Sequence, residues 1–240
     1  MSLLNDEKLE NSPVVANCRM NRERQAIGVN SYEKDLKLNP ILFLKKKLET
    51  PSQVTWLDLC CGKGKALIQT AQYFEKTDFK DKICLEGIDL VDFFEPIPQN
   101  ISFLQFQTLN LSRWKPKREY DLITCVHGLH YVGDKLGLIQ KSIAALTPTG
   151  FWMAHLDEQN IQMNDRAFNL NVWAEKNDLI YKPKKHLLLC EGKKDIEKDW
   201  LYLGADDSIG ANYTGQEAIN SYYQEANFQI DRNITPSRHS

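Results

Sequence analysis

The chain has 240 residues, enough for one sizeable α/β domain with room for a small lid. Hydrophobic residues make up 42% and charged residues 26%, a globular balance that excludes a disordered chain. A formal net charge of −2 and a pI of about 6.2 give no global pull toward nucleic acid or an anionic membrane.

The N-terminus, Met1 to Glu7, lacks both the basic charge and the apolar core of a secretory leader. No apolar run approaches the ~18 residues a membrane helix needs, so no membrane partner is expected and cytoplasm is the expected compartment. The cysteines at 18, 60, 61, 84, 125 and 190 form no C-x-x-C or zinc spacing. They read as reduced thiols, and no metal site is expected. Residues 1–15 are polar. Ser31 caps a short helix through Leu36, and Asn39-Pro40 opens a second one with Pro at its first position. Ile41, Leu42, Phe43, Leu44 and Leu48 supply the apolar face of that second helix. The basic runs at 45–47 and 182–185 read as solvated faces or loops.

From Val54 an apolar run reaches Asp58, crosses Cys60-Cys61-Gly62-Lys63-Gly64 and enters a helical pattern with Leu67, Ile68, Ala71 and Phe74 apolar. Gly62 and Gly64 allow a ligand close to the backbone, and the helix start that follows suits a carboxylate or phosphate. The dinucleotide fingerprint would require glycine at Leu67, which counts against a nicotinamide cofactor. The L-D-L-C-C-G-K-G stretch resembles motif I of the class I S-adenosylmethionine (SAM) dependent methyltransferases. Asp58, Cys60, Gly62 and Gly64 occupy its positions, with Cys60 in place of the first glycine, and Cys61 lies in the same implied cofactor loop. The resemblance implies SAM as cofactor and S-adenosylhomocysteine as product. It also implies an N-terminal arm, residues 1–50, across the cofactor cleft, in which Arg24, Asn30 and Tyr32 are candidate contacts. The methyltransferase domain would then occupy 51–240. Lys63 and Lys65 stay unassigned, either solvated or favouring an anionic group.

The next strand, Ile83 to Leu90, ends in Asp89, placed to accept both hydroxyls of a ribose or, alternatively, to cap a turn. Leu90 would flank the adenine. A third strand, Ile101 to Phe106, leads to Asn110 and Leu111, which match the family's adenine-binding position, with Asn110 in place of the commoner acid. A fourth strand, Tyr120 to Val126, runs into His127-Gly128-Leu129-His130-Tyr131 and is similar to the family's motif IV. Val126 and His127 would meet the methionine part of SAM, and His130 and Tyr131 would face substrate. A neutral histidine can accept a proton from an attacking hydroxyl or amine, so His127 and His130 are candidate bases. Each is equally serviceable as a cap or core residue.

Asp134 to Leu146 has the apolar spacing of a helix, stopped by Thr147-Pro148-Thr149-Gly150, and Phe151 to Leu156 reads as a fifth strand ending before Asp157. Five strands alternating with helices predict a three-layer, Rossmann-like, mostly parallel sheet, seven-stranded by the resemblance, with ligand at the strands' carboxyl ends. Asp157 joins His127 and His130 as a candidate catalytic group. Residues 158–213 form the expected acceptor-site insert, with a helix around 165–176 and hairpin strands at 186–190 and 200–203. Residues 204–213 read as a loop. From this region Tyr202, Asp206, Asp207 and Tyr213 are candidate substrate contacts beside Tyr32, His130 and Tyr131, with Asx turns as the alternative for the acids. Thr214-Gly215-Gln216-Glu217 is a capping box predicting a helix to about Ala226, followed by a strand at 228–231. The closing hairpin of the sheet comes either from the strands near 187 and 201 or from a different edge.

The expected function is methyl transfer from SAM to a small-molecule or short peptide-like acceptor. An RNA enzyme of the cap guanine-N7 type shares the L-D-L-x-C-G-K-G and L-H-Y motifs, but the acidic pI and missing basic stripe disfavour a nucleic-acid partner. A non-catalytic SAM-binding protein is the alternative from another class.

Overall fold

The computed structural model describes residues 3–15, 23–49, 53–164 and 167–226. The strands are β1 (Val54–Leu59), β2 (Ile83–Asp89), β3 (Leu104–Thr108), β4 (Tyr120–Cys125), β5 (Leu146–His155), β6 (Ile161–Met163), β7 (Ile180–Lys182), β8 (Leu187–Glu191), β9 (Trp200–Asp206) and β10 (Asn220–Glu225). The helices are α1 (Asp6–Glu10), α2 (Tyr32–Leu36), α3 (Pro40–Lys47), α4 (Lys65–Phe74), α5 (Lys135–Ile143) and α6 (Leu170–Lys176).

Seven strands form one sheet in the order β3-β2-β1-β4-β5-β8-β7. The pairs from β3 to β5 are parallel, and β8 runs antiparallel to both β5 and β7. Alternation along the strands covers both faces. Trp56, Leu122 and Met153 pack with Leu44 of α3 and Leu67 and Phe74 of α4, while Leu57, Ile123 and Trp152 pack with Leu136 and Ile139 of α5 and Leu170 of α6. The fold is the three-layer Rossmann-like methyltransferase arrangement. The caps at Ser31, Asn39 and Asp134 each accept a backbone N–H of their helix, as their residue types require.

The second half departs from the sequence expectation in four places. The strand near 187, β8, does close the sheet, but its hairpin partner is β7 and not the strand near 201, because β9 leaves to a separate sheet ordered β6-β10-β9. Residues 204–206 are strand rather than loop. The stretch 214–226 holds no helix, and β10 stands there instead. Ser221 and Tyr223 are fully buried and alternate with half-exposed Asn220 and Tyr222, a period of two that lets the segment pair on both sides. Thr214 serves a turn, accepting from the Gln216 N–H and donating to Asn212. Finally, β5 starts at Leu146 and absorbs Thr147–Gly150 as an irregularity, since Tyr120 pairs with Leu146 but Leu122 pairs with Phe151. The third strand begins at Leu104, not Ile101, and α6 begins at Leu170. The strand expected at 228–231 lies outside the described residues.

Buried Lys135 joins the small sheet to α5, donating to the Val132 and Ile219 carbonyls and to Ser221 Oγ at 2.8–3.0 Å. Burial pulls this ammonium down to about 7, opposed by the Asp134 and Asp157 carboxylates.

Gly64 is the position where backbone freedom decides packing. Its φ is +72°, and an added Cβ would lie 2.2 Å from the Phe106 ring, which itself stacks on Phe94 at 4.7 Å. Gly64→Ala should cost about 2–3 kcal/mol, combining left-handed strain with displacement of Phe106. Gly215, also left-handed (φ +76°) but with open space around it, should cost roughly 1 kcal/mol as Gly215→Ala. Thermal melts compare the two, and equal losses would remove the packing argument.

Candidate active site

Parallel strands bring their carboxyl ends to one edge, and there a cavity of about 610 Å³ opens. Cys60, Cys61 and Gly62 after β1, Asp89 and Leu90 at the end of β2, Asn110 and Leu111 after β3, and Val126 and His127 after β4 all line it. The loop after β1 turns tightly because Cys60, Gly62 and Gly64 all have positive φ. Asp89 braces it, one carboxylate oxygen accepting the Gly62 N–H at 2.8 Å and the other the Val91 N–H at 3.2 Å. Asn110 accepts the Ser112 N–H at 2.8 Å and donates to Glu10 at 2.6 Å. Residues from the N-terminal segment, among them Asp6, Glu10, Arg24 and Tyr32, complete the wall.

Two motif residues lie off the cavity. Gly64 sits beneath Phe106, and Asp58 is fully buried, accepting from the Tyr32 hydroxyl at 2.7 Å and the Thr124 hydroxyl at 2.6 Å. Burial pushes the Asp58 carboxyl up to about 7, although both hydroxyls oppose the shift. Tyr32 therefore lines the cavity with its ring while its hydroxyl is held inside. Lys63 and Lys65 both pair with Glu23, a residue of the N-terminal segment, on the outside of the loop. No anion near the pocket is needed to explain them.

The catalytic candidates open onto a larger cluster than expected. His127 has a left-handed backbone (φ +58°) that turns its ring onto His155, stacked at 4.0 Å. His130 is fully buried behind it, and Tyr213 lies 5.4 Å from the His130 ring and stacks on His186 at 3.7 Å. The Tyr213 hydroxyl is 3.4 Å from His127 Nδ1. Burial, then the neighbouring cations and imidazoles, pull His127 down to about 2 and His130 to about 3; burial pulls His155 to about 4. Among the described residues, both ring nitrogens of His130 and Nδ1 of His155 and of His186 are buried without a hydrogen-bond partner. Asp157 is buried, caps a short turn through the Gln159 N–H and lies 4.0 Å from His186. Among the described residues no three His, Cys, Asp or Glu side chains converge as metal ligands.

The other substrate candidates divide. Tyr131 lines the cavity. Tyr202 sits beside Tyr223, and Asp206 and Asp207 serve structure, the first accepting from the Ser208 N–H and hydroxyl, the second from the Ser12 hydroxyl at 2.6 Å. The turn reading describes the contacts of Asp206, whereas Asp207 makes a long-range contact with the N-terminal segment.

A family model described as "Methyltransferase domain" matches residues 29–233. The chain belongs to the methyltransferase-domain family. No curated protein matches it. Solved structures similar to this methyltransferase share little sequence. The plantazolicin methyltransferase BpumL is 15% identical over 48% of this chain and 43% of its own, with a TM-score of 0.38. YjhP from E. coli is 17% identical over 61% and 55%, TM-score 0.37, and a SAM-dependent methyltransferase from Geobacter sulfurreducens is 17% identical over 59% and 53%, TM-score 0.36. This methyltransferase thus spans about half the length of each.

The donor set fits SAM, the cofactor of class I methyltransferases. A glycine-bearing loop with exposed backbone, an acid at the end of β2 and an amide after β3 surround a cavity in the usual range for small-molecule sites. Sequence reasoning missed His155, His186, Glu10 and Asp6 in this methyltransferase. Only the histidines left a signal, since four of the five in the chain meet at one place.

Asp58 yields a pH test. Its folded value of about 7 lies above the unfolded 3.8, so the folded state keeps a proton that the unfolded state sheds between about pH 4 and 7. The stabilisation is complete below pH 4 and is lost as pH rises to 7. Asp58→Asn carries no such dependence, so its Tm should gain roughly several degrees on wild type between pH 4 and 7. A constant difference across that range would contradict the raised value.

Proposed function

We propose that the protein transfers the methyl group of SAM to a small-molecule or short peptide-like acceptor. The observation that carries this is the meeting of four strand ends in register on one cavity, with Gly62, Asp89, Asn110 and His127 on its wall. Asp89 would hold the ribose hydroxyls while its hydrogen bond to Gly62 sets the loop. Leu90 would lie against the adenine, and Asn110 and Leu111 at its edge. Arg24, on the wall and paired with Asp35 at 2.6 Å, offers positive charge to the amino-acid carboxylate. Bound SAM supplies a methyl group already activated by its sulfonium, so the protein's task is alignment and exclusion of water.

The acceptor would approach from the histidine side, where residues of the 158–213 insert (His186 and Tyr213) meet His127 and His130. The N-terminal arm would form the opposing wall. The unpartnered imidazole nitrogens supply hydrogen-bond donors and acceptors to a polar group there. Neutral His127 or His130 would take a proton from an acceptor that must lose one. With a formal charge of −2 and no basic stripe, RNA is the lesser reading.

Calorimetry with S-adenosylhomocysteine should show binding that Asp89→Ala weakens at least ~30-fold, from the loss of two charge-assisted hydrogen bonds. An equally tight variant would remove the ribose assignment. Tritiated methyl from SAM should enter the small-molecule fraction of an extract, and label appearing instead on a capped oligonucleotide would move the reading to RNA. Because burial holds His127, His130 and His155 neutral down to pH values well below the usual imidazole range, log(kcat/KM) should show no acid limb between pH 5 and 7 arising from them. A limb near 6.5 that disappears in His127→Asn would contradict this.

A further inference from the structure

We infer that Glu10, on the N-terminal helix α1, accepts the 6-amino group of the cofactor's adenine, so that the arm reads the base. The inference rests on the SAM reading above, and Glu10 lies outside the family match at 29–233. Asn110, at the position expected to contact the adenine, has its amide already committed. Its Oδ1 accepts the Ser112 N–H at 2.8 Å, which fixes the amide orientation and turns its NH2 to Glu10 Oε1 at 2.6 Å. Arg113 also donates to Oε1, at 2.6 Å. Two donors therefore share one carboxylate oxygen, while Oε2 accepts nothing from the described residues. Glu10 lines the cavity beside Asn110 and Leu111. A carboxylate fixed by two donors through one oxygen presents the other as an oriented acceptor. A purine bearing a 6-amino donor satisfies it, and a 6-oxo purine sets acceptor against acceptor.

The test compares S-adenosylhomocysteine with its deaminated analogue S-inosylhomocysteine, by calorimetry on the full chain. Wild type should prefer the amino form by at least ~10-fold. In Glu10→Gln the amide keeps its oxygen on Asn110 and Arg113 and turns a donor to the base, so the preference should shrink to within about threefold or reverse. Arg113→Ala removes the ion pair but keeps the acceptor, and should retain the wild-type ratio even if overall affinity falls. A merely structural Glu10 would weaken both ligands equally in Glu10→Gln. An unchanged ratio there, or no preference in wild type, overturns the assignment. Binding of neither nucleoside by wild type would instead sink the SAM reading, and this assignment with it.

Discussion

The buried carboxyl of Asp58 is the junction on which the rest depends. It sits in the middle of the sheet with no access to water, and its two oxygens take the hydroxyls of Thr124, from the neighbouring strand, and Tyr32, from the arm. Thr124 also accepts the indole N–H of Trp56 at 2.8 Å, and the Tyr32 ring meets Trp56 edge-on at 6.1 Å. One motif residue therefore fixes the spacing of β1 and β4 and docks α2 against them. A buried carboxyl left without these donors would cost far more than the donors contribute, so the arm is tied to the same group that begins the loop.

That tie is repeated around the cavity. Glu23 pairs with both lysines of the loop after β1, Glu10 with Asn110 after β3, and Arg24 with Asp35 beside His127. The sheet supplies one wall by topology, and the N-terminal segment supplies the other through polar contacts. Most of those contacts are partly exposed, so each is individually weak, and the arm's position depends on several acting together. The buried Tyr32–Asp58 bond is the exception that anchors them.

The strand-end side of the cavity was legible in the sequence because every contribution there is local. A strand end and the one or two residues after it announce themselves through an apolar run and a change of residue type, as at Asp58, Asp89, Asn110 and His127. The histidine cluster was not, since its members meet only through long-range pairing. His155 reaches His186 because β5 and β8 run antiparallel, with His155 opposite Leu187. The failed helix at 214–226 has the same cause. The capping box is a local signal, but β10 is held by β6 and β9 on either side, and tertiary pairing overrode the cap. Glu10 left no signal at all, as it meets Asn110 across 100 positions.

The four imidazoles have an electrostatic consequence for methyl transfer. A protonated histidine about 4 Å from a sulfonium would cost roughly 4 kcal/mol at the effective dielectric of a protein surface, and more inside. Stacking His127 on His155, burying both and setting Arg24 nearby removes that proton at any ordinary pH. On the proposed reading, the cluster would thereby keep hydrogen-bonding capacity beside a cationic donor without adding positive charge to it. The same arrangement makes His127, His130 and His155 weak bases. On the proposed reading, an acceptor that has no proton to lose, or that is already acidic, would therefore be better matched to this site than an alkyl alcohol, whose deprotonation would ask more of these rings than their depressed basicity supplies.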